Sequence, residues 1–246
     1  MCKNYFDTNE YGLQFYRAMG DGKKPFAVIC PGGGYYMVSA HNEGVPFAKR
    51  LNALGYSAFV LRYRVGSKAK CPAPLDDLAR AVRHIIDNAD EYNVKTTGYS
   101  VWGSSAGGHL AGLFSSERIC KGAYNLPQPS AVILVYPVIT MGDISHRESV
   151  LNFLGENPTD DEIKAASIEN NVNENYPPAF LWNALDDDCV NPENANLMQN
   201  ALERFGVRCE YMQFKTGGHG IGLGVGTECE PWFERAVAFW QEQKEV

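Results

Sequence analysis

Ser105 stands at the centre of Gly103-Ser104-Ser105-Ala106-Gly107. A serine flanked at two positions on either side by glycine fits a sharp strand-to-helix turn, because residues without a Cβ let neighbouring backbone pass close to it. A serine held there can act as a nucleophile if a base takes its proton and backbone donors receive the developing oxyanion. Ser104 lacks the symmetric glycine spacing. Five histidines could supply the base. His219 lies in Thr216-Gly217-Gly218-His219-Gly220, a flexible stretch after the last strand-like run. His109 and His84 fall within helical patterns and suit packing, while His41 and His146 fall in loops. His41, just after the glycine run, is at most a substrate contact.

Asp186-Asp187-Asp188 supplies an acid that could orient the histidine, and it follows an apolar run. Spacing alone does not choose among the three. A metal site is the weaker reading of this triplet, since no histidine or further carboxylate lies near it at ligand spacing. The chain order serine, acid, histidine is the one an alternating α/β sheet topology of this kind gives. Gly32-Gly33-Gly34 and the residue after the serine, Ala106, offer backbone amides for an oxyanion. The glycine run has neither a following Lys-Ser/Thr pair nor Gly-x-Gly-x-x-Gly spacing, which argues against nucleotide binding.

The elements that must carry these residues alternate. Short apolar runs at Pro25–Pro31, Tyr56–Tyr63, Tyr99–Gly103, Ala131–Pro137, Ala179–Leu185 and Cys209–Phe214 suit buried strands. Helical spacing appears at Val45–Leu54, Leu75–Tyr92, Ala106–Ser116, Pro192–Phe205 and Pro231–Glu242, with Pro74 opening the second and Gly55 closing the first. Such alternation predicts an α/β fold, a mostly parallel sheet with helices on both faces. Gly12–Ala18 is expected to add an antiparallel edge strand. The polar stretch from about 139 to 176, with a helix start at Pro158-Thr159-Asp160-Asp161-Glu162, reads as a small cap-like insertion over the strand carboxyl ends.

With 246 residues, 45% hydrophobic and 21% charged, the chain suits a single globular domain over 1–246. A net charge of −7 without a charged block argues against nucleic acid or an anionic membrane as partner. Seven cysteines, an odd number without C-x-x-C spacing, and a start (Met1–Asp7) without an apolar core point to a reducing cytoplasmic setting. No apolar run approaches the ~20 residues of a membrane span. Nothing in the sequence reports an oligomeric state.

With these residues in place the chain resembles the α/β-hydrolase superfamily, and most closely its small acetyl esterases or xylan-esterase-like proteins. The resemblance covers nearly the whole chain. It rests on Pro31-Gly32-Gly33-Gly34-Tyr35, Leu61-Arg62-Tyr63-Arg64, Pro74-Leu75-Asp76-Asp77 and Gly103 to His109. Asn152-Phe153-Leu154-Gly155, Asp186 to Val190, and Gly217 to Gly220 complete it.

The resemblance implies a cofactor-free serine hydrolase without a metal, acting on a small ester. It places the acid at Asp187 through an Asp-x-x-Val pattern, with Asn191 where proline is usual, and the oxyanion amides at Gly33, Gly34 and Ala106. Tyr35 and Tyr36, with Trp182, are expected either around the substrate or in core packing. Short acyl groups are expected because the insertion is modest, and acetylated sugars or xylo-oligosaccharides are the substrates the resemblance suggests. An amidase or peptidase with the same triad, or a catalytically silent binding protein, are the alternative readings.

Overall fold

The structure is a computed structural model that describes residues 3–4, 12–20 and 22–243. Of the start read above for a leader, only Lys3 and Asn4 are among them.

Among the described residues eight strands form one sheet: β1 (Lys3–Asn4), β2 (Gly12–Tyr16), β3 (Ala27–Cys30), β4 (Ala58–Arg62), β5 (Ser100–Ser104), β6 (Ala131–Val135), β7 (Ala179–Ala184) and β8 (Cys209–Phe214). Their spatial order is β1-β2-β4-β3-β5-β6-β7-β8. From β4 to β8 all pairs are parallel, while β2 runs antiparallel to β4. The fold is the α/β arrangement expected from the alternation. The antiparallel strand lies one place in from the edge, because β1 pairs outside it.

Period-two alternation splits the core into two layers, because successive strand residues face opposite sides of the sheet. Val101 of β5 and Leu134 of β6 join one layer, and Trp102 and Ile133 the other. The first layer is covered by α2 (Ala73–Asp87), α4 (Ser105–Ser115) and α7 (Glu193–Arg204). The second is covered by α1 (Val45–Ala53) and α8 (Trp232–Glu242), whose Trp232 and Trp240 pack around Trp102. A short α3 (Ala89–Tyr92) follows α2.

The insertion carries α5 (Arg147–Phe153) and α6 (Asp160–Ala166). The second starts where the sequence indicated, on a capping box: Thr159 Oγ1 accepts from the Glu162 amide and Glu162 Oε2 accepts from the Thr159 amide. Phe153, Ala166 and Ile168 sink into the same core layer as α2 and α4.

Two of the resembling motifs explain each other. Asp77, 3% exposed, accepts from the Arg64 amide at 2.8 Å and from its Nε at 2.9 Å, joining the end of β4 to the start of α2. The order β4-β3-β5 puts a change of winding direction at β3 and β5, the place where open parallel sheets bind ligands. The glycine run leaves β3 there, and the serine turn leaves β5 beside it.

Candidate active site

Ser105 has φ +53° between the extended Ser104 and the first turn of α4. A non-glycine residue in the left-handed region costs on the order of 1 kcal/mol, so surrounding packing must hold it there. The glycines around it do this by contact. A Cβ on Gly107 would lie 2.0 Å from the Cys30 carbonyl oxygen, and one on Gly103 would lie 2.1 Å from the Gly107 carbonyl oxygen. Gly32 closes in from the other side, where a Cβ would lie 2.9 Å from that of Ser105. The spacing read in the sequence is therefore a set of backbone approaches that only glycine permits.

His219 Nε2 lies 2.8 Å from Ser105 Oγ, and its Nδ1 lies 2.7 Å from Asp187 Oδ2. A carboxylate only accepts, so Nδ1 carries the proton and Nε2 is left to accept from the serine hydroxyl. Asp187 Oδ1 accepts from the amides of Cys189 and Val190, both at 2.9 Å. That turn is the physical content of the Asp-x-x-Val pattern. Its side chain is 1% exposed and every oxygen has a partner. Asp186 instead accepts from the Gly218 amide at 2.8 Å, and Asp188 is exposed. Asn191, in the position where proline is usual, accepts from the Glu193 amide at 3.0 Å, one residue before Pro192 caps α7.

The Gly33 and Gly34 amides have no hydrogen-bond partner among the described residues. Their carbonyl neighbours are occupied by the turn, with Gly33 oxygen accepting from Tyr36 and Met37 and Gly32 oxygen from Ser39. The Ala106 amide is in the first turn of α4, where helix N–H groups have no intrahelical acceptor. Gly33 and Gly34 follow Gly32, where a Cβ would lie 2.9 Å from that of Ser105, and Ala106 follows the serine directly.

Other expectations need correcting. Tyr35 does not face a substrate. Its φ of +58° turns the ring into the core, where it is 0% exposed and its hydroxyl donates to His109 Nδ1 at 2.7 Å. Trp182 takes the core reading of its two, packed against Tyr136, Phe214 and Trp232. Tyr36 is 66% exposed beside the glycine run, and His41 is exposed nearby. His109 Nε2 donates to the Ala166 carbonyl at 2.8 Å, and burial pushes its imidazole down to about 4. His84 pairs with Tyr92.

Three residues beside the site carry no role in the sequence reading, which places His146 only in a loop. His146, in the insertion, has its Cε1 3.4 Å from where a Gly34 Cβ would sit, and its Nδ1 bonds Ser149 at 2.9 Å. Burial pushes its ring below the ordinary histidine range. Glu43 and Tyr136 are buried against the glycine run and the ring of His219. A histidine and a glutamate among polar loop residues carry no sequence signal of such placement.

The loops after β5, β7 and β8 of a mostly parallel sheet bring Ser105, Asp187 and His219 together, and the fold is that of an α/β hydrolase. Residues 13–202 match the BD-FAE family, and the chain belongs to that family. It is 35% identical over 238 residues to endo-1,4-beta-xylanase B of Butyrivibrio fibrisolvens, covering 89% of this chain and 37% of that protein. It is 34% identical over 210 residues to an acetylxylan esterase of Xylanibacter ruminicola, covering 83% of this chain and 41% of that one. The chain therefore spans about two-fifths of these curated relatives. The crystal structure of an acetyl ester-xyloside bifunctional hydrolase from Caldicellulosiruptor lactoaceticus superposes with a TM-score of 0.88 at 33% identity. That match covers 96% of this chain and 89% of the other. Among the described residues no helix is long and apolar enough to cross a membrane.

Proposed function

We propose that this chain hydrolyses short-chain carboxylic esters through Ser105, His219 and Asp187, with acetylated sugars such as xylo-oligosaccharides as the substrate class. The carrying observation is the unbroken line Asp187 Oδ2, His219 Nδ1, His219 Nε2, Ser105 Oγ, at 2.7 and 2.8 Å. Ser105 attacks the ester carbonyl while His219 takes its proton, and Asp187 stabilises the imidazolium that forms. The amides of Gly33, Gly34 and Ala106 receive the oxyanion, each donor of this kind being worth about 3–4 kcal/mol in comparable sites. The imidazolium then protonates the departing alcohol, and a water activated by His219 hydrolyses the acyl-enzyme.

The relatives' names, acetylxylan esterase and acetyl ester-xyloside hydrolase, support the acetylated-sugar assignment. Tyr36 and His146 are the side chains we place against the substrate, from opposite sides of the glycine run. The described cysteines are unpaired, which supports a cytoplasmic setting. A fluorophosphonate probe should label the protein and fail to label Ser105→Ala. A panel of p-nitrophenyl esters and acetylated xylo-oligosaccharides should be turned over fastest at the acetyl end, with aminoacyl amides as comparators. Labelling that survives Ser105→Ala, or faster turnover of the amides, would overturn the assignment.

A further inference from the structure

Glu43 sits in a π-helical turn, Ala40–Gly44, that runs into α1, yet it is 3% exposed. A buried carboxylate is costly unless its oxygens are matched by donors, and here both are. Oε2 accepts from the Gly32 amide at 2.7 Å and Oε1 from the Tyr136 hydroxyl at 2.8 Å. The Tyr136 oxygen in turn accepts from the Gly222 amide at 3.1 Å. Two chains of donors, one from the glycine run and one from the loop that holds His219, thus end on a single carboxylate. Its neighbour Asn42 adds a second tie to that loop, donating from Nδ2 to the Gly220 carbonyl at 2.6 Å. The contact with the chemistry is close on both arms. A Cβ on Gly32 would lie 2.8 Å from Glu43 Oε2 and 2.9 Å from Ser105 Cβ, and the Tyr136 ring centroid is 4.8 Å from that of His219.

We propose that Glu43 is a positioning residue, tying the amides that follow Gly32 and the loop that carries His219 into one unit through Tyr136. Oxyanion donors and base come from segments about 190 residues apart, and both must meet the same serine to within a fraction of an ångström. The inference rests on the acyl-transfer reading above. Burial holds the carboxyl above the ordinary glutamate range, while its two hydrogen bonds and the His219 and His41 charges oppose that rise.

The test uses Glu43→Gln, Tyr136→Phe and the double variant. A carboxamide can accept at one oxygen only, so either the Gly32 amide or the Tyr136 hydroxyl loses its acceptor. Tyr136→Phe keeps the ring and removes the link to Gly222. With p-nitrophenyl acetate, each single variant should lower kcat about 10- to 100-fold with KM held within about two-fold. The double variant should lose no more than the worse single one, since both cut the same link. Hydrogen exchange at the Gly32 and Gly222 amides, slow in the parent, should quicken at least about ten-fold in Glu43→Gln, and Gly222 alone should quicken in Tyr136→Phe. Unchanged exchange in Glu43→Gln, a loss carried by KM, or single losses that multiply in the double variant would overturn the proposal. A parent protein that turns over no ester would sink the acyl-transfer reading instead, and the exchange measurement would still decide whether Glu43 ties the two loops.

Discussion

His109 should make this fold acid-sensitive in a calculable way. Its ring is 0% exposed, with Nε2 donating to the Ala166 carbonyl and Nδ1 accepting from Tyr35. Both nitrogens are spoken for in the neutral form, and a second proton would have to enter on Nδ1 against the tyrosine hydroxyl. Burial holds the folded-state value at about 4, against 6.5 for a free histidine. The unfolded chain therefore binds a proton between these values and the native state does not. Stability from this residue is complete above pH 6.5 and is lost as the pH falls toward 4. By linkage the loss is about 2 kcal/mol at pH 5 and about 3 kcal/mol at pH 4.

His109→Gln tests this. Glutamine can donate to Ala166 and accept from Tyr35, but it cannot take up a proton. It forfeits the edge contacts with Phe153 and Tyr35, at centroid distances of 5.1 and 5.8 Å, at a cost of about 1–2 kcal/mol near neutrality. Urea unfolding at pH 7.5, 6.5, 5.5 and 4.5 should show the parent more stable at first, the gap closing near pH 5, and the variant more stable below it. Every other ionisable group is common to both proteins and cancels in the difference. A gap that stays constant from pH 7.5 to 4.5 would refute the burial argument.

Three further outcomes follow from the site. Asp187→Asn should lower kcat about 10⁴-fold and Asp186→Asn no more than about ten-fold, because Asp187 alone meets the imidazole; steady-state kinetics on an acetyl ester reads both. Gly107→Ala should cost at least about 3 kcal/mol or prevent soluble folding, since the new methyl would meet the Cys30 carbonyl; urea midpoints or soluble yield report it. Ser105→Gly should abolish turnover and raise the melting temperature by about 2 °C, because glycine accepts φ +53° without strain; calorimetry checks the direction.

Much of this site was legible because it is written in backbone demands. Gly103, Gly107 and Gly32 are required by approaches of 2–3 Å that any side chain would block, so their spacing carries information without a structure. The parallel sheet was legible for a similar reason: strands buried on both faces must be apolar throughout. Asp187 was not separable from Asp186 and Asp188 by residue type, since all three are the same residue in one turn. What separates them is which one drops below the surface where Val190 and Cys189 offer their amides. Tyr35 was misplaced because one positive φ sends its ring inward, and alternation along the chain does not reveal a local reversal.

Long-range partnership explains what stayed hidden. Glu43 reads as an ordinary polar residue between Asn42 and Gly44, and its role exists only because Tyr136, 93 positions later, delivers a hydroxyl to it. Tyr136 itself reads as the end of an apolar strand, but φ +35° turns its ring toward His219 and Glu43. The parts we propose for acyl transfer are thus marked by local spacing, whereas the parts proposed to hold them in register are marked by burial of groups that prefer water. A carboxyl side chain driven to 3% exposure beside Ser105 must be stabilised by the loops it joins. The same bonds that stabilise it hold those loops in place.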